Sequence, residues 1–476
     1  MKKFTILLGI ILLTSPAVLY SQKEMNIWYF GNYAGLDFNS GDPIPLLNSS
    51  MKTYDNCTTV SDSAGNLLFY SNGVTVWNKY HTPMPNGQGL FGATSSTNGS
   101  IAVQQPAKPD IYYIFTNDEF AGPYGLRYSV VDMSLNSGNG DVTSQKNIPI
   151  LMPDTEKTLA VYHENNTDIW IIAHEWNSNA FHAYLLTENG LSTTPVISTV
   201  GSYHTGGTLG TYNSMGQIAA TTDGLKIGLA IYDFQQYELF DFNRSTGTLS
   251  NPIIIPGYPN AWGVEFSPDG SKLYTTCWKF SPVYQFDISS NNAITIINSV
   301  VQIGDATSPD PEYSAGFLQT GPDNKIYIAK YNSEFLASIN NPNEPGILCE
   351  FYDNSVYLGG RLSLAGLPSF IKSETSLGLK KDFESQNYLK VYPNPACEKI
   401  YVQVQTKWNS TINISLVALN GKSQHIHYTG TVKEGESTIE LDLESQPSMS
   451  FDPGIYILQI SLDGKSFMRK ISIIGN

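Results

Sequence analysis

The stretch Trp262–Ile288 reads WGVEFSPDGSKLYTTCWKFSPVYQFDI and contains three short strand-like runs joined by turns. The first turn is Pro-Asp-Gly, in which proline presets φ at the first corner and glycine accepts a positive φ. Apolar and aromatic residues on either side alternate with polar ones, as they do in half-buried strands. The stretch therefore predicts one antiparallel unit of at least three strands.

Similar units recur along most of the chain. Their second strands can be aligned at Trp28, Leu67, Ile111, Ile169, Ile227, Leu273 and Ile326. The intervals run from 39 residues (Trp28 to Leu67) to 58 residues (Ile111 to Ile169). Repeats of this length with several strands per unit are typical of propeller blades. We therefore predict an all-β fold, a seven-bladed β-propeller over residues 25–372; the alternative is an open array of β-sandwiches.

The two ends of this region complement each other. The first unit, residues 26–38 (NIWYFGNYAGLDF), has no strand before its Trp28, and the region ends with an extra strand-like run, residues 360–371 (GRLSLAGLPSFI). We expect this C-terminal strand to complete the first blade, because such closure removes the open sheet edge between the first and last blades.

The N-terminus has the features of an export signal. Residues 1–22 (MKKFTILLGIILLTSPAVLYSQ) begin with two lysines, continue with an uncharged apolar run and end in small residues. This order is typical of a secretory signal peptide, residues 1–21, cleaved between Ser21 and Gln22. The alternative is a buried N-terminal helix. No other apolar run has the length of a transmembrane segment, and no cysteine that could carry a lipid anchor follows the signal.

Composition narrows the classes of partner. Charged residues make up only 14% of the chain, aromatic residues 12%, and the formal net charge is −15. A nucleic-acid partner is excluded, because phosphate binding requires clustered lysine and arginine. The four cysteines, Cys57, Cys277, Cys349 and Cys397, have no zinc-site spacing and make no dense disulfide framework, although one disulfide remains open.

A second domain follows a polar segment. Residues 373–388 lack strand alternation and are predicted to be a linker. From residue 389 to 476 the chain returns to short alternating runs such as EKIYVQVQ and GIYILQISLDGK. About 88 residues of this kind predict a small Ig-like β-sandwich.

This tail carries a specific set of motifs. They are Tyr392-Pro393-Asn394-Pro395 at its entry, Asn420-Gly421 in mid-domain, Gly454-Ile455-Tyr456 at the start of a strand, and Arg469 with Lys470 before the last strand. In this order they resemble the C-terminal (type A) sorting domain of type IX secretion substrates in Bacteroidetes. Pro393 and Pro395 would also stiffen the entry to the domain.

The resemblance implies a route and a partner. The signal peptide would take the chain across the inner membrane through the Sec pathway, and the type IX machinery would carry it across the outer membrane. The tail would then be removed near the linker, leaving the body attached to surface lipopolysaccharide or released.

The propeller region has a resemblance of its own. WYFGNYAGLDFNSG at residues 28–41, followed by GNLLFYSNGVTVWN at residues 65–78, is similar to a group of Bacteroidetes surface proteins with no assigned activity. This resemblance covers residues 26–371 and supports the architecture alone.

Catalytic motifs are largely missing from the sequence. There is no P-loop, no Gly-x-Ser-x-Gly elbow and no calcium loop, and the run from His174 lacks the second histidine of a zinc protease. We therefore expect no metal and no cofactor. Four of the seven histidines do lie within residues 163–204.

These histidines give the candidate site residues. The catalytic candidates are His163, His174, Glu175 and His204, and the binding candidates are Trp176 and His182. Histidines that converge in a propeller could bind a metal or act as acid and base. We place His204 in the fifth blade and the others in the fourth. The alternative is that they only make hydrogen bonds across the blade.

The recurring tryptophans also admit two interpretations. Trp28, Trp77, Trp170, Trp176, Trp262 and Trp278 occupy blade positions. They could pack between blades or expose ring faces that stack on sugars or contact a protein.

Three functions remain open for this secreted or outer-membrane surface protein. The first hypothesis is non-catalytic binding of an extracellular glycan or protein. The second is a lactonase-like propeller hydrolase or lyase that uses His163, His174 and His204. The third is a structural adhesion or matrix component.

Overall fold

The computed structural model describes residues 23–310, 312–372, 389–393, 396–406, 409–418, 424–443, 454–462 and 465–473. The predicted signal peptide with Ser21 and Gln22, the predicted linker, and Asn394, Pro395, Asn420 and Gly421 lie outside these residues. The chain divides into two compact units, Met1–Ser376 and Leu377–Asn476.

The first unit contains seven antiparallel sheets in chain order, each a meander of neighbouring strands. Sheet 1 has β1 (Ile27–Phe30), β2 (Ala34–Asp37) and β3 (Ile44–Pro45). Sheet 2 has β4 (Thr58–Ser61), β5 (Leu67–Ser71), β6 (Thr75–Asn78) and β7 (Pro83–Gln88). Sheet 3 has β8 (Ser100–Gln104), β9 (Ile111–Asn117), β10 (Leu126–Asp132), β11 (Asp141–Val142) and β12 (Ile148–Leu151).

The remaining four sheets repeat the pattern. Sheet 4 has β13 (Asp154–Tyr162), β14 (Ile169–Glu175), β15 (Ser178–Thr187), β16 (Gly190–Leu191) and β17 (Val196–His204). Sheet 5 has β18 (Ile218–Ala220), β19 (Lys226–Ile231), β20 (Gln236–Asn243) and β21 (Thr248–Pro256). Sheet 6 has β22 (Ala261–Phe266), β23 (Lys272–Cys277), β24 (Pro282–Asp287) and β25 (Val301–Asp305). Sheet 7 has β26 (Ala315–Thr320), β27 (Ile326–Lys330), β28 (Phe335–Ile339) and β29 (Phe351–Tyr357).

Short helical segments occur between these strands. They are α1 (Leu135–Gly138), α2 (Ala293–Asn298) and three 3-10 turns, Thr208–Gly210, Tyr212–Ser214 and Gly346–Cys349. Among the residues described, no helix has the length and apolarity to cross a membrane. All four cysteines are free, with Cys57, Cys277 and Cys349 buried.

The Asp-Gly turns that join first and second strands explain the repeat. In sheet 6, Asp269 Oδ1 accepts hydrogen bonds from Ser267 Oγ at 2.7 Å and Ser271 N at 3.0 Å, while Gly270 has a φ of 72°. Asp223 and Gly224 repeat this arrangement in sheet 5. The aspartate satisfies backbone groups of the turn, and glycine adopts its positive φ without strain.

The seven sheets form a closed ring. Each sheet contacts the next along the chain, and one apolar cluster joins sheet 7 to sheet 1. In that cluster the Trp28 ring lies 5.7 Å from the Tyr327 ring, edge to face. The predicted seven-bladed β-propeller is therefore confirmed.

Residues 362–372, the closing segment, complete the ring in an unexpected form. The segment forms single bridges, antiparallel between Asn32 and Leu362 and parallel between Cys57 and Pro368 and between Val161 and Lys372. Sheet 1 therefore keeps three strands, and the closing segment runs among the first strands of the other sheets.

Two residues of the closing segment explain this path. Pro368 has no N–H to donate to a regular ladder. A Cβ added to Gly366 would lie 2.2 Å from the carbonyl carbon of Asp55, so only glycine allows the segment this close to the loop before β4.

The closing segment ends in a buried ion pair. Lys372 Nζ contacts Glu265 Oε1, and the two side chains are 15% and 1% exposed. Glu265 also accepts hydrogen bonds from Phe266 N at 2.7 Å and Thr320 N at 3.1 Å. The carboxylate on β22 thus links the end of the closing segment to sheets 6 and 7.

The second unit is a sandwich of two sheets. One contains β30 (Leu389–Tyr392), β31 (Lys399–Thr406) and β34 (Gly435–Asp442), and the other β32 (Ser410–Ala418), β33 (Gln424–Val432), β35 (Gly454–Leu462) and β36 (Lys465–Ile473). Alternate residues point inward, as Ile400, Val402 and Val404 do on β31. The predicted small β-sandwich is confirmed.

The sorting motifs occupy defined places in this sandwich. The Tyr392 ring stacks 5.6 Å from Tyr401, and Pro393 follows β30 directly. Gly454 opens β35, and Tyr456 is buried in the core. Arg469 and Lys470 lie on β36, opposite Leu458 and Ile457.

We predict that Lys372→Ala lowers the propeller's free energy of unfolding by about 3 kcal/mol, because it leaves the buried Glu265 carboxylate without its cation. The control is Lys325→Ala, since Lys325 is 30% exposed and pairs with Asp323 at 3.2 Å; it should cost less than about 1 kcal/mol. Denaturant unfolding of the full-length variants measures both, and equal losses would contradict the assigned role of the pair.

Candidate functional site

Two of the predicted histidines come together in sheet 4. The imidazoles of His174 on β14 and His204 at the end of β17 stack with centroids 3.7 Å apart and an interplanar angle of 21°. The placement of His204 in the fifth blade is wrong, because β17 pairs with β15 of sheet 4. A hydrogen bond to the β14–β15 turn holds His204 in sheet 4, because Asn177 N donates to His204 O at 2.9 Å.

His163 does not belong to this pair. It follows β13 at the opposite end of the sheet, where its Nε2 lies 3.2 Å from Ser245 O and its ring 5.9 Å from Trp170. The expected convergence of His163 with His174 and His204 is therefore not observed.

The stacked pair is buried, and Lys157 lies near it. Both imidazoles are fully buried, and their four ring nitrogens have no hydrogen-bond partner among the described residues. Burial, reinforced by Lys157 nearby, lowers the pKa of His174 to about 3. Burial, His174 and Lys157 hold the pKa of His204 well below its usual value. Both rings are neutral at pH 7 and have no surface to offer a substrate.

The other candidates around the pair are mostly buried. Trp176 is 7% exposed, so its ring face is not available for stacking on a ligand. His182 Nε2 lies 3.8 Å from Glu175 Oε2. Burial lowers the pKa of His182, opposed by the Glu175 carboxylate. Trp176 and His182 are thus largely enclosed, whereas the Glu175 side chain is 33% exposed.

Two buried charges that sequence inspection missed hold the neighbouring loops. Lys157 Nζ donates to Ser214 O at 2.8 Å and Met215 O at 2.9 Å. Glu156 accepts from Thr97 N and Phe120 N, both at 2.7 Å. The sequence signal for these two residues was the run Asp154-Thr155-Glu156-Lys157, which places charged residues inside a first strand. Charged residues are seldom buried unless they have partners.

The first strands surround a small central cavity. It has about 30 Å³ open to the centre of a water molecule, room for one or two waters. Its walls come from five sheets and from Ser369, Phe370 and Lys372 of the closing segment. The closing segment thus fills the channel in which a propeller could hold a small ligand.

One face of the ring carries the aromatic residues. In a meander, the turns between second and third strands lie at the same edge as the loops that precede first strands; we call this edge the upper face and the opposite one the lower face. Eight rings touch one another on the upper face and form what we call the aromatic surface: Phe120, Tyr212, Tyr232, Trp262, Trp278, Tyr313, Phe317 and Tyr331.

Trp262 is the centre of the aromatic surface. Its ring is stacked 4.9 Å from Trp278 and 5.4 Å from Phe317, and lies edge to face at 5.7 Å from Tyr232. Tyr232, Trp262 and Phe317 are buried, whereas the other five rings are half-buried. The surface therefore has a rigid base and a partly exposed outer layer.

The repeat positions these rings. Tyr232, Trp278 and Tyr331 are each the first residue after the second strand of sheets 5, 6 and 7. Sequence inspection noted only the tryptophans, although an aromatic residue at this point of three successive units was a readable signal. Among the described residues, no three His, Cys, Asp or Glu side chains could jointly hold a metal ion.

We predict that acid destabilises the protein through the stacked histidines. Below pH 6.5 the unfolded chain protonates both imidazoles, while the folded chain does not until about pH 3 for His174. Stability present at pH 7 is therefore lost as pH falls, by about 2 kcal/mol at pH 5 for His174 and in the same direction for His204. His174→Gln should remove one such increment from the difference in unfolding free energy between pH 7 and pH 5.

The control is His163→Gln, which should leave the pH 7 to pH 5 difference unchanged because His163 lies apart from the buried pair. An unaltered difference in His174→Gln would show that His174 is protonated in the folded state.

Comparison with known proteins finds no match among curated sequences. A solved Lactobacillus plantarum protein is similar, with a TM-score of 0.44 and 12% identity over 72% of this chain and 98% of that one. A Bacteroides fragilis protein provisionally named a 6-phosphogluconolactonase has a TM-score of 0.41 and 11% identity, over 89% and 100%. Kluyveromyces lactis Hsv2p has a TM-score of 0.36 and 11% identity, over 65% of this chain and 86% of that one. TM-scores this low carry no argument about activity.

The tail is more specific. Residues 390–474 match the family described as the secretion system C-terminal sorting domain. The match spans the strands of the sandwich, β30 to β36, together with the motifs from Tyr392 to Lys470. The protein is therefore a substrate of the type IX secretion system, exported to the cell surface or beyond it by its C-terminal sorting domain.

Proposed function

We propose that the exported propeller binds an extracellular glycan, without catalysis, through its aromatic surface. The main support is that eight aromatic rings contact one another in an unbroken series across the upper face. Sheets 3 to 7 and the loops at their upper edges contribute these rings. Such rings offer large, rigid, apolar faces, which suit the apolar faces of sugar rings.

The partial exposure of the outer rings favours ligand binding over simple core packing. Rings needed only for the core would be fully buried, yet Trp278, Tyr313 and Tyr331 contact one another and stay partly exposed. Buried Trp262 and Phe317 support them from below. Preorganised side chains of this kind lose little conformational entropy when a ligand binds.

A histidine-dependent hydrolase or lyase has less support. His174 and His204 have no exposed surface, and His163 lies on the lower face. General acid–base catalysis requires a side chain within hydrogen-bond reach of the substrate. The three histidines do not meet this condition together.

A protein ligand is the second candidate, favoured by one observation. At the rim of the upper face, Leu209 is 83% exposed, Tyr203 55% and Phe234 37%. Exposed apolar side chains grouped beside a binding surface are typical of protein contacts.

We predict that Trp278→Ala weakens glycan binding at least about tenfold, since truncating a tryptophan in a binding surface commonly costs 2 kcal/mol or more. The matched control is Trp77→Ala, a half-buried tryptophan on the side of sheet 2 that stacks 5.4 Å from Tyr70. A glycan array on the full-length protein, followed by calorimetry on its best ligand, measures the effect.

The competing functions give other results. A protein-binding propeller would bind no glycan on the array, and a structural component working through its whole surface would respond equally to both substitutions. Either result would overturn the proposal.

The export route yields a separate prediction. Deleting residues 389–476 should leave a folded propeller in the periplasm, because the machinery has lost its recognition domain, whereas the full-length chain reaches the surface or medium. Cell fractionation measures this. Mass spectrometry of the exported full-length product should find a body that begins at Gln22 and ends within residues 373–388; a truncated chain at the surface would contradict the assigned route.

A further inference from the structure

The aromatic surface is bordered by carboxylates. Glu119 precedes Phe120, Asp233 follows Tyr232, and Asp310 and Asp55 lie in the loops before β26 and β4. Three of these carboxylates also influence the tyrosines of the aromatic surface through their charge. After burial, Asp233 contributes to raising the pKa of Tyr232, and Asp310 and Asp55 contribute to raising that of Tyr331.

These carboxylates have no cation of their own. None of the four forms an ion pair with another residue that the structure describes. Three accept hydrogen bonds from neutral groups: Glu119 from Ser95 Oγ, Asp233 from Thr208 N and Asp310 from Glu312 N. The carboxylates of Glu119, Asp233 and Asp310 on the upper face are therefore paired with no cation among the described residues.

Two buried polar atoms on the upper face lack a partner. Asp55 Oδ1, in a side chain 7% exposed, and Trp262 Nε1, in a side chain 3% exposed, make no hydrogen bond to any described residue. Such groups are rare in folded proteins and costly to leave unpaired.

The local chemistry is suited to a cation. Lys52 Nζ already lies 5.5 Å from the centroid of Tyr54, an exposed ring next to Asp55. A cation over an aromatic face is attracted by the ring quadrupole, and nearby carboxylates add to the attraction.

We propose that the ligand is a glycan bearing protonated amines, a deacetylated hexosamine polymer. This inference rests on the glycan-binding function proposed above. The sugar rings stack on Trp278, Tyr313 and Tyr331. Their ammonium groups approach the carboxyl groups of Asp55 and Asp310. Uronate or sulfated glycans are disfavoured by the same carboxylates.

The buried carboxyl supports this assignment. Burial, together with Glu156 and Glu119, raises the pKa of Asp55 well above its usual range. An ammonium group placed beside it favours the charged carboxylate. Binding of an amino sugar should therefore release a proton, which a neutral sugar would not do.

Calorimetry on the full-length protein tests the inference with four probes: a glucosamine hexasaccharide, its fully N-acetylated counterpart, a hexagalacturonate and polylysine. We expect the glucosamine probe to bind at least tenfold more tightly than the acetylated probe at low salt. The advantage should shrink at high salt, because exposed charges are screened. Heats measured in buffers of different ionisation enthalpy should show proton release with the glucosamine probe alone.

Variants assign the effect to the upper face. Asp310→Asn combined with Asp233→Asn should weaken glucosamine binding about tenfold and leave binding of the acetylated probe unchanged. The matched control is Asp42→Asn, whose side chain is 96% exposed and lies 3.8 Å from Lys325, in the turn between β26 and β27 on the lower face. It should change neither affinity.

The outcomes separate the two proposals. Equal affinity for the amino and acetylated probes, both lost in Trp278→Ala, would overturn the amino-glycan inference and leave glycan binding intact. Binding to no sugar probe would overturn both. Polylysine binding as tight as that of the glucosamine probe, and equally sensitive to Trp278→Ala, would replace the glycan with a basic protein.

Discussion

Closure of the ring by residues 362–372 is the constraint on which the rest of the propeller depends. Seven sheets that pack side by side still leave a joint between the last and the first, and unpaired backbone groups there would invite aggregation. The closing segment bonds to Asn32, Cys57 and Val161, and its last side chain neutralises Glu265. One short segment thus connects strands that are far apart in sequence. The cost of a buried carboxylate is offset by a cation that arrives only when the ring is complete.

The fold was readable from the sequence because its information is local and repeated. Asp223-Gly224 and Asp269-Gly270 specify their turns through contacts within a few residues, so each repeat can be recognised in the sequence on its own. The form of closure was not readable. A strand of sheet 1 and a segment threaded along the channel share the same apolar pattern, and the choice depends on how closely Gly366 can approach Asp55. That distance is set by residues more than three hundred positions away.

The candidate site was predicted less well, for a related reason. Counting histidines within residues 163–204 measured closeness along the chain, whereas alternate residues and opposite ends of a strand face different surroundings. His163 and His174 are close in sequence but lie at opposite edges of sheet 4. The rings of the aromatic surface are the reverse case. Phe120 and Tyr331 belong to sheets 3 and 7, and only the return of every second strand to the same edge unites them.

The aromatic surface and the end of the closing segment also lie on different faces of the propeller. The aromatic surface lies on the upper face, whereas the closing segment runs parallel to β4 and β13 and ends at Lys372 beside Val161, near the lower end of β13. Lys372, the last residue of the closing segment, therefore lies on the face away from the rings that we propose bind the ligand. A cut anywhere beyond Lys372 removes the sorting domain without touching the ion pair that completes the ring. The ion pair between Lys372 and Glu265 therefore lies wholly within the first compact unit.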